Sequence, residues 1–175
     1  MLTAAAFKAD VIVPVLALVF TVASFWWIWL RRGRLRVSPP RAFASVTTQA
    51  LVRIRFALVI HNTGAAPIVI DDLRMRIDGH DLRWISTRRT LRPDENDRED
   101  WAKPIAVAGR VAREVIVEFG ESDLHWIPEP GQSYPAVIER LTRGKWRSVV
   151  EFVWWAPTAS SGAYLGRLNR PPTSA

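Results

Sequence analysis

The sequence predicts an all-β sandwich of about seven strands, preceded by one N-terminal transmembrane helix. Three observations carry that expectation. Residues 11–30, VIVPVLALVFTVASFWWIWL, run for twenty positions without a charge and are closed at once by Arg31, Arg32, Arg34 and Arg36. Behind them, short stretches alternate apolar and polar side chains with a period of two, the pattern of half-buried strands. Between those stretches stand Asn-Thr-Gly, Asp-Gly and Arg-Gly-Lys, which supply turn chemistry.

The apolar run comes first in the chain and decides where the rest sits. A helix rises about 1.5 Å per residue, so residues 11–30 match the roughly 30 Å hydrocarbon core of a bilayer. Pro14 is expected in the first turn, where its missing N–H costs little. Trp26, Trp27 and Trp29 crowd the last turn, and tryptophan favours the membrane–water interface. A cleaved signal peptide needs net positive charge before the apolar run and small residues at its end; here Lys8 is cancelled by Asp10, and the run ends in Phe25-Trp26-Trp27-Ile28-Trp29-Leu30. The arginines that follow mark the cytoplasmic side, which predicts an N-terminus outside and a cytoplasmic body. The expected organisation is a short segment 1–10, a transmembrane helix 11–30, a basic juxtamembrane linker 31–45, a β domain 46–156 and a flexible tail 157–175. The linker assignment rests on Val37-Ser38-Pro39-Pro40, because proline cannot continue a helix.

The strands follow in order. In LVRIRFALVIHN, beginning at Leu51, Val52, Ile54, Phe56, Leu58 and Ile60 share one side, while Arg53, Arg55, Ala57 and His61 take the other. Residues 68–70 form a short strand. Leu73, Met75 and Ile77 alternate with arginines, Asp78-Gly79 turns the chain, and Leu82 with Trp84 answers on the return. Residues 86–103, STRRTLRPDENDREDWAK, read as a long solvated loop. Residues 104–107 are a short strand. Val115, Val117 and Phe119 alternate with glutamates in the next, residues 134–141 make another, and residues 146–155 the last. From Ala156 the chain is small and polar.

This succession of short strands without a convincing second helix is the pattern of an immunoglobulin-like sandwich. The run FALVIHNTGAAPIVIDDLRMRI resembles the strand–Asn-Thr-Gly–strand hairpin of bacterial Ig-like sandwiches, and PIAVAGRVAREVIVEF resembles the proline-led strand, glycine turn and strand of the same modules. The resemblance spans residues 46–155 and implies a fold, not an activity. The antibody-type cysteine pair is absent, since the chain has no cysteine. Thiol chemistry and cysteine metal sites are thereby excluded.

The net charge is +7, yet residues 43–157 hold sixteen basic and sixteen acidic side chains. The excess lies in the flank and the tail, so the body lacks the bulk basic footprint of a nucleic-acid binder. His61, His80 and His125 have no spacing that demands a nucleophile–base pair or a metal site. No catalytic residue, metal or cofactor is expected. The acidic run Asp94, Glu95, Asp97, Glu99 and Asp100 is expected to be exposed and balanced by nearby arginines, or to dock a basic partner. Trp154 and Trp155 are adjacent on one strand and must face opposite ways. At most one of them is core on a one-sided sheet; the other is exposed, covered by a loop or part of an interface, and Trp155 and Trp146 are the candidates for a partner contact.

The functional expectation is a single-pass, membrane-anchored, non-enzymatic protein-interaction or scaffolding module. It meets lipid through Trp26, Trp27, Trp29, Arg31, Arg32, Arg34 and Arg36, and a protein partner through Trp146, Trp155 and the acidic loop. The alternative is an extracytoplasmic sensor of a small ligand or glycan, with the topology reversed.

Overall fold

The computed structural model describes residues 3–30, 34–48, 51–121, 126–159 and 161–171. Its first element is a single long helix, α1 (Thr3–Phe25), which ends in a π-helical turn, Trp26–Leu30. Within it Val11–Trp29 has a mean hydropathy of 2.3 and is not buried in the body. This one helix is long and apolar enough to cross a membrane. It begins inside the segment expected to precede it. Pro14 consequently lies in the helix interior and not in the first turn, and it leaves a carbonyl one turn back without its N–H.

The rest of the described chain is mostly strand. Twelve strands form among the described residues, and every pairing is antiparallel. They are β1 (Leu35–Val37), β2 (Ala42–Thr47), β3 (Val52–Asn62), β4 (Ile68–Ile70), β5 (Leu73–Ile77), β6 (His80–Arg88), β7 (Glu99–Trp101), β8 (Ile105–Val107), β9 (Ala112–Glu121), β10 (Ser133–Thr142), β11 (Lys145–Trp155) and β12 (Ser161–Leu168). Ten of them belong to one hydrogen-bonded sheet with the path β11-β10-β5-β6-β9-β3-β2-β12. β1 adds to β3 and β7 to β6, while β4 and β8 pair separately.

The alternation read from the sequence becomes the core. Ile54, Phe56, Leu58, Ile60, Val117 and Phe119 are buried on the inner face, as are Met75, Ile77 and Ile138. The sheet curls so that its β11 end returns over β2 and β3. Phe43 meets Trp154 edge-on at 5.8 Å, and Phe56 meets Phe152 at 5.5 Å. The two hairpins announced by Asp78-Gly79 and Arg143-Gly144 form as expected, with φ of 48° and 85° in the first and 51° and 73° in the second. Both central residues in each have positive φ, the backbone of a tight hairpin turn.

Three stretches differ from the sequence reading. The expected linker, residues 31–45, contains β1 and the start of β2. Both strands lie on the same edge of β3, Val37 opposite Ile60 and Phe43 opposite Phe56. Pro39-Pro40 is therefore a corner between two strands on one side of β3, outside the ladder of either, where a missing N–H is tolerated, and not a break between anchor and domain. The tail 157–175 contains β12, which pairs with β2 from Leu168↔Ala42 to Ser161↔Thr47. Residues 86–103 begin as the end of β6 and return to it as β7, with Ser86 opposite Trp101. In all three cases backbone pairing and a few polar anchors hold segments that have too little apolar periodicity to be recognised alone.

Asn169, just beyond β12, closes the curl. Its Nδ2 donates to the Val153 carbonyl at 2.9 Å, and its Oδ1 accepts from the Trp155 backbone N–H at 3.0 Å. A side-chain amide thus stands in for a strand residue and satisfies one N–H and one C=O at the free edge of β11.

Candidate functional site

Three places on the body concentrate chemistry. The first is a buried ionic cluster on the outer face of the sheet. β3 presents Arg55 there and β9 presents Glu118 directly opposite. β6 adds Ser86 and Arg88 to the same face because of a bulge: Trp84 pairs with Phe119 and Ser86 with Glu118, so Ile85 is the extra residue. Without that bulge Arg88 would fall on the other face, since side chains alternate strictly along a strand.

Glu118 is 0% exposed and accepts from Arg55 Nε at 2.8 Å, Arg88 Nε at 2.8 Å and the Tyr164 hydroxyl at 2.9 Å. Arg55 also reaches Asp97 at 2.8 Å and stacks over the Tyr164 ring at 4.2 Å. Arg88 completes the set with Glu99 at 2.9 Å. Burial works against the charged form of Arg55, but the Asp97 hydrogen bond and the Glu118 charge outweigh it and raise its pKa. Burial also opposes the Asp97 carboxylate, and Arg55 overcomes this and holds it below the usual carboxylate range. Burial, then the Glu118 charge, push the Tyr164 hydroxyl up. These groups are matched to one another. Their work is to hold the 89–98 loop and β12 against the sheet.

The acidic run divides between this cluster and the surface. The side chain of Asp97 is only 8% exposed and is committed to Arg55 and, at 3.8 Å, to Arg88. Glu99 faces Arg88, and Asp100 faces Lys103 at 2.9 Å. Asp94 bonds the Asn96 backbone N–H at 2.9 Å, and Glu95 is exposed. Arg53 and Arg55, read as solvent-side residues, both reach Glu118, and Arg55 is only 3% exposed. Charge alone could not place the loop: its arginines and carboxylates suit solvent as well as a cluster across the sheet.

The second place is the seam beside Asn169. Trp155, half-buried on the face opposite the buried Trp154, lines a groove with Arg167, Arg170, Leu168 and Pro171. A second hollow continues from Arg170 to Pro40 and Arg41. Arg41, Arg167 and Arg170 are exposed, and among the described residues none of them is ion-paired. Arg41 from the flank and Arg167 and Arg170 from the tail therefore line adjoining hollows. Sequence reasoning named Trp155 here but not Arg41, Arg167 or Arg170. The signal that reveals them is the pairing of β12 with β2.

The third is a recess lined by Asp72, Arg74, Asp81, Arg83 and Trp146. Arg74 stacks on Trp146 at 4.5 Å while bonding Glu139 at 2.6 Å and Asp81 at 2.8 Å. Trp146 is thus half-buried under an arginine whose charge is already balanced. Hydrogen bonding from Arg76, helped by the Arg74 charge, keeps the Asp81 carboxyl below its ordinary range.

The remaining sequence candidates are dispersed. Trp26, Trp27 and Trp29 are exposed on the helix, Arg34 and Arg36 are exposed at β1, and Arg31 and Arg32 lie outside the described residues. His61 Nε2 lies 3.4 Å from Ser38 Oγ, and His80 stacks on Trp126 at 4.9 Å. His125 lies outside the described residues. Among the described residues no group of three His, Asp or Glu is placed to hold a metal ion. No protein-family model matches the chain, and no curated protein matches it.

Proposed function

We propose that this chain is a single-pass, membrane-anchored, non-enzymatic module that binds an acidic segment of a protein partner in the Trp155 groove. The observation that carries the reading is the pair Arg167 and Arg170, exposed and without an ion-pair partner among the described residues, beside a half-buried tryptophan, with Arg41 in the hollow that adjoins the groove at Arg170. Arginine offers a planar fork that pairs with carboxylates in bidentate fashion, and tryptophan and arginine are the side chains most enriched at binding hot spots. The groove lies where two sheet edges meet, a usual contact surface for such bodies.

The same reading puts the N-terminus outside and the body in the cytoplasm, supported by the arginines that follow the apolar run and by the lack of cysteine. It also assigns the body to the Ig-like sandwiches. All-antiparallel pairing and two halves of a curled sheet packed over one core support that assignment, although the twelve strands exceed the seven of the basic pattern.

Trp155→Ala and an Arg167→Glu/Arg170→Glu pair in the full chain test the proposal. Wild-type protein extracted in mild detergent is expected to retain a co-purifying partner that both variants lose, while their circular dichroism stays unchanged. Retention of the partner by the charge-reversed variant refutes the groove. A phosphatase fused after Ala175 is expected to be inactive and a fluorescent protein there to glow; the reverse pattern refutes the topology.

A further inference from the structure

The helix and the β body meet through Arg110. This residue lies in the turn between β8 and β9 with φ of 58°, a conformation uncommon for anything but glycine. The surrounding turns hold it there. Arg110 N donates to the Gly64 carbonyl at 2.8 Å, and Asn62 N donates to the Val111 carbonyl at 3.0 Å. The buried Asn62 side chain donates to the Ala66 carbonyl at 2.8 Å and accepts from Gly64 N at 3.0 Å. Gly109 backs so closely onto Ala65 that a Cβ there would strike the Ala65 carbonyl. Thr63 N donates to the carbonyl of Arg34, the first described residue after the anchor, at 3.2 Å. From this frame Arg110 Nη2 reaches the carbonyls of Trp27 at 3.3 Å and Ile28 at 3.0 Å. Carbonyls at the C-terminal end of a helix carry partial negative charge, so a cation is favoured beside them.

That contact sets a depth. The Trp26–Leu30 turn is where a spanning helix leaves hydrocarbon for the headgroup layer, and a loop that reaches its carbonyls lies at the same level. The two turns at this end of the body, residues 62–67 (NTGAAP) and 108–112 (AGRVA), contain no carboxylate. Thr63, Pro67, Ala108 and Val111 are exposed there. The other end of the sheet is roughly 33 Å away, from about 3.3 Å per residue along the eleven residues of β3.

We infer that this end of the β body is a bilayer-contacting face: residues 62–67 and 108–112 rest in the headgroup layer, and Arg110 and Arg34 bind the phosphates of anionic phospholipids. Arg110 spends one nitrogen on the anchor, and its other side-chain N–H groups have no acceptor among the described residues, which leaves them for phosphate. The inference rests on the reading that residues 11–29 span a membrane, but not on which side the body occupies.

The absence of cysteine makes the test clean, because single cysteines can be introduced and labelled one at a time. The full chain carrying Ala17→Cys, Ala66→Cys, Ala108→Cys or Ala159→Cys is labelled with an environment-sensitive fluorophore. Ala159 is exposed and lies two residues before Ser161, which faces Thr47 at the end of the sheet remote from the anchor. Each variant is reconstituted into phosphatidylcholine vesicles with or without phosphatidylglycerol, and quencher lipids of known depth are added. Headgroup-level quenchers are expected to extinguish the labels at positions 66 and 108 and to leave position 159 unaffected. Mid-bilayer quenchers are expected to extinguish position 17. Arg110→Ala is expected to reduce quenching at 108, with recovery by Arg110→Lys and stronger quenching when phosphatidylglycerol is present. A quenched position 17 with an unquenched position 108 overturns the docked face and leaves the anchor standing. An unquenched position 17 overturns the anchor reading itself. Quenching at 108 that ignores both phosphatidylglycerol and Arg110→Ala overturns phosphate recognition.

Discussion

Replacing Glu118 by glutamine isolates what the buried charge contributes. The amide has the same shape, so packing changes little. Its oxygen can still accept from Arg55 Nε and Arg88 Nε, now both at 2.8 Å from the carboxylate, and its NH2 can donate to Tyr164, whose hydroxyl is able to accept. What disappears is a negative charge that is 0% exposed. Removing one partner of a buried ion pair costs about 3–5 kcal/mol. Arg55 keeps Asp97 and Arg88 keeps Glu99, which argues for the lower end of that range. For a domain of this size each kcal/mol moves Tm by roughly 2–4 °C, so a fall of about 6–12 °C is expected. The control is Glu99→Gln, which removes an equally short contact to Arg88 at 2.9 Å from a carboxylate that is 42% exposed. Exposed pairs are worth about 1 kcal/mol or less, so its Tm is expected to stay within about 4 °C of wild type. Thermal unfolding of the detergent-solubilised chain, followed by near-ultraviolet circular dichroism, measures both. Equal losses in the two variants, or a Glu118→Gln loss below about 1 kcal/mol, would show that burial of the cluster does not govern its contribution.

Three further outcomes follow from the same contacts. Tyr164→Phe removes a hydrogen bond to a charged group, worth about 1.5–3 kcal/mol, and amide exchange in β12 is expected to accelerate more than in β3. Asn169→Ala strips the clasp from the edge of β11 and is expected to cost about 1–3 kcal/mol, with the Trp155 amide losing its protection; unchanged exchange there would refute the clasp. The depressed carboxyls of Asp97 and Asp81 give an acid limb. Their folded pKa values lie below the ordinary 3.8, so their stabilisation is complete above that value and is lost as pH falls through the folded pKa. Unfolding midpoints measured between pH 6 and 2 are expected to drop mainly below pH 4, and Asp97→Asn to flatten the drop.

The sequence by itself determined the apolar helix, the β class of the body, the two hairpins and most of the core. Each of these depends on local chemistry: an uncharged run, a period of two, or residues that accept positive φ. The alternation of Ile54, Phe56, Leu58 and Ile60 could be read because one face of β3 meets only apolar side chains. The other face could not. Arg55 looks like any solvent-facing arginine until Glu118 is opposite it, the Ile85 bulge has turned Arg88 to the same side, and Asp97 and Tyr164 arrive from 42 and 109 positions along the chain. Trp154 and Trp155 were legible as a pair facing opposite ways, and the fold assigns the first to the core and the second to the groove. Only the tertiary structure decided that the tail contains a strand, that Arg41 lines a hollow with Arg170 next to the groove of Arg167, and that Arg110 reaches the anchor. Those arrangements are made by backbone pairing and long-range polar contacts. Neither leaves a periodic trace in a sequence, because a backbone N–H or a guanidinium carries no record of which distant partner it will meet.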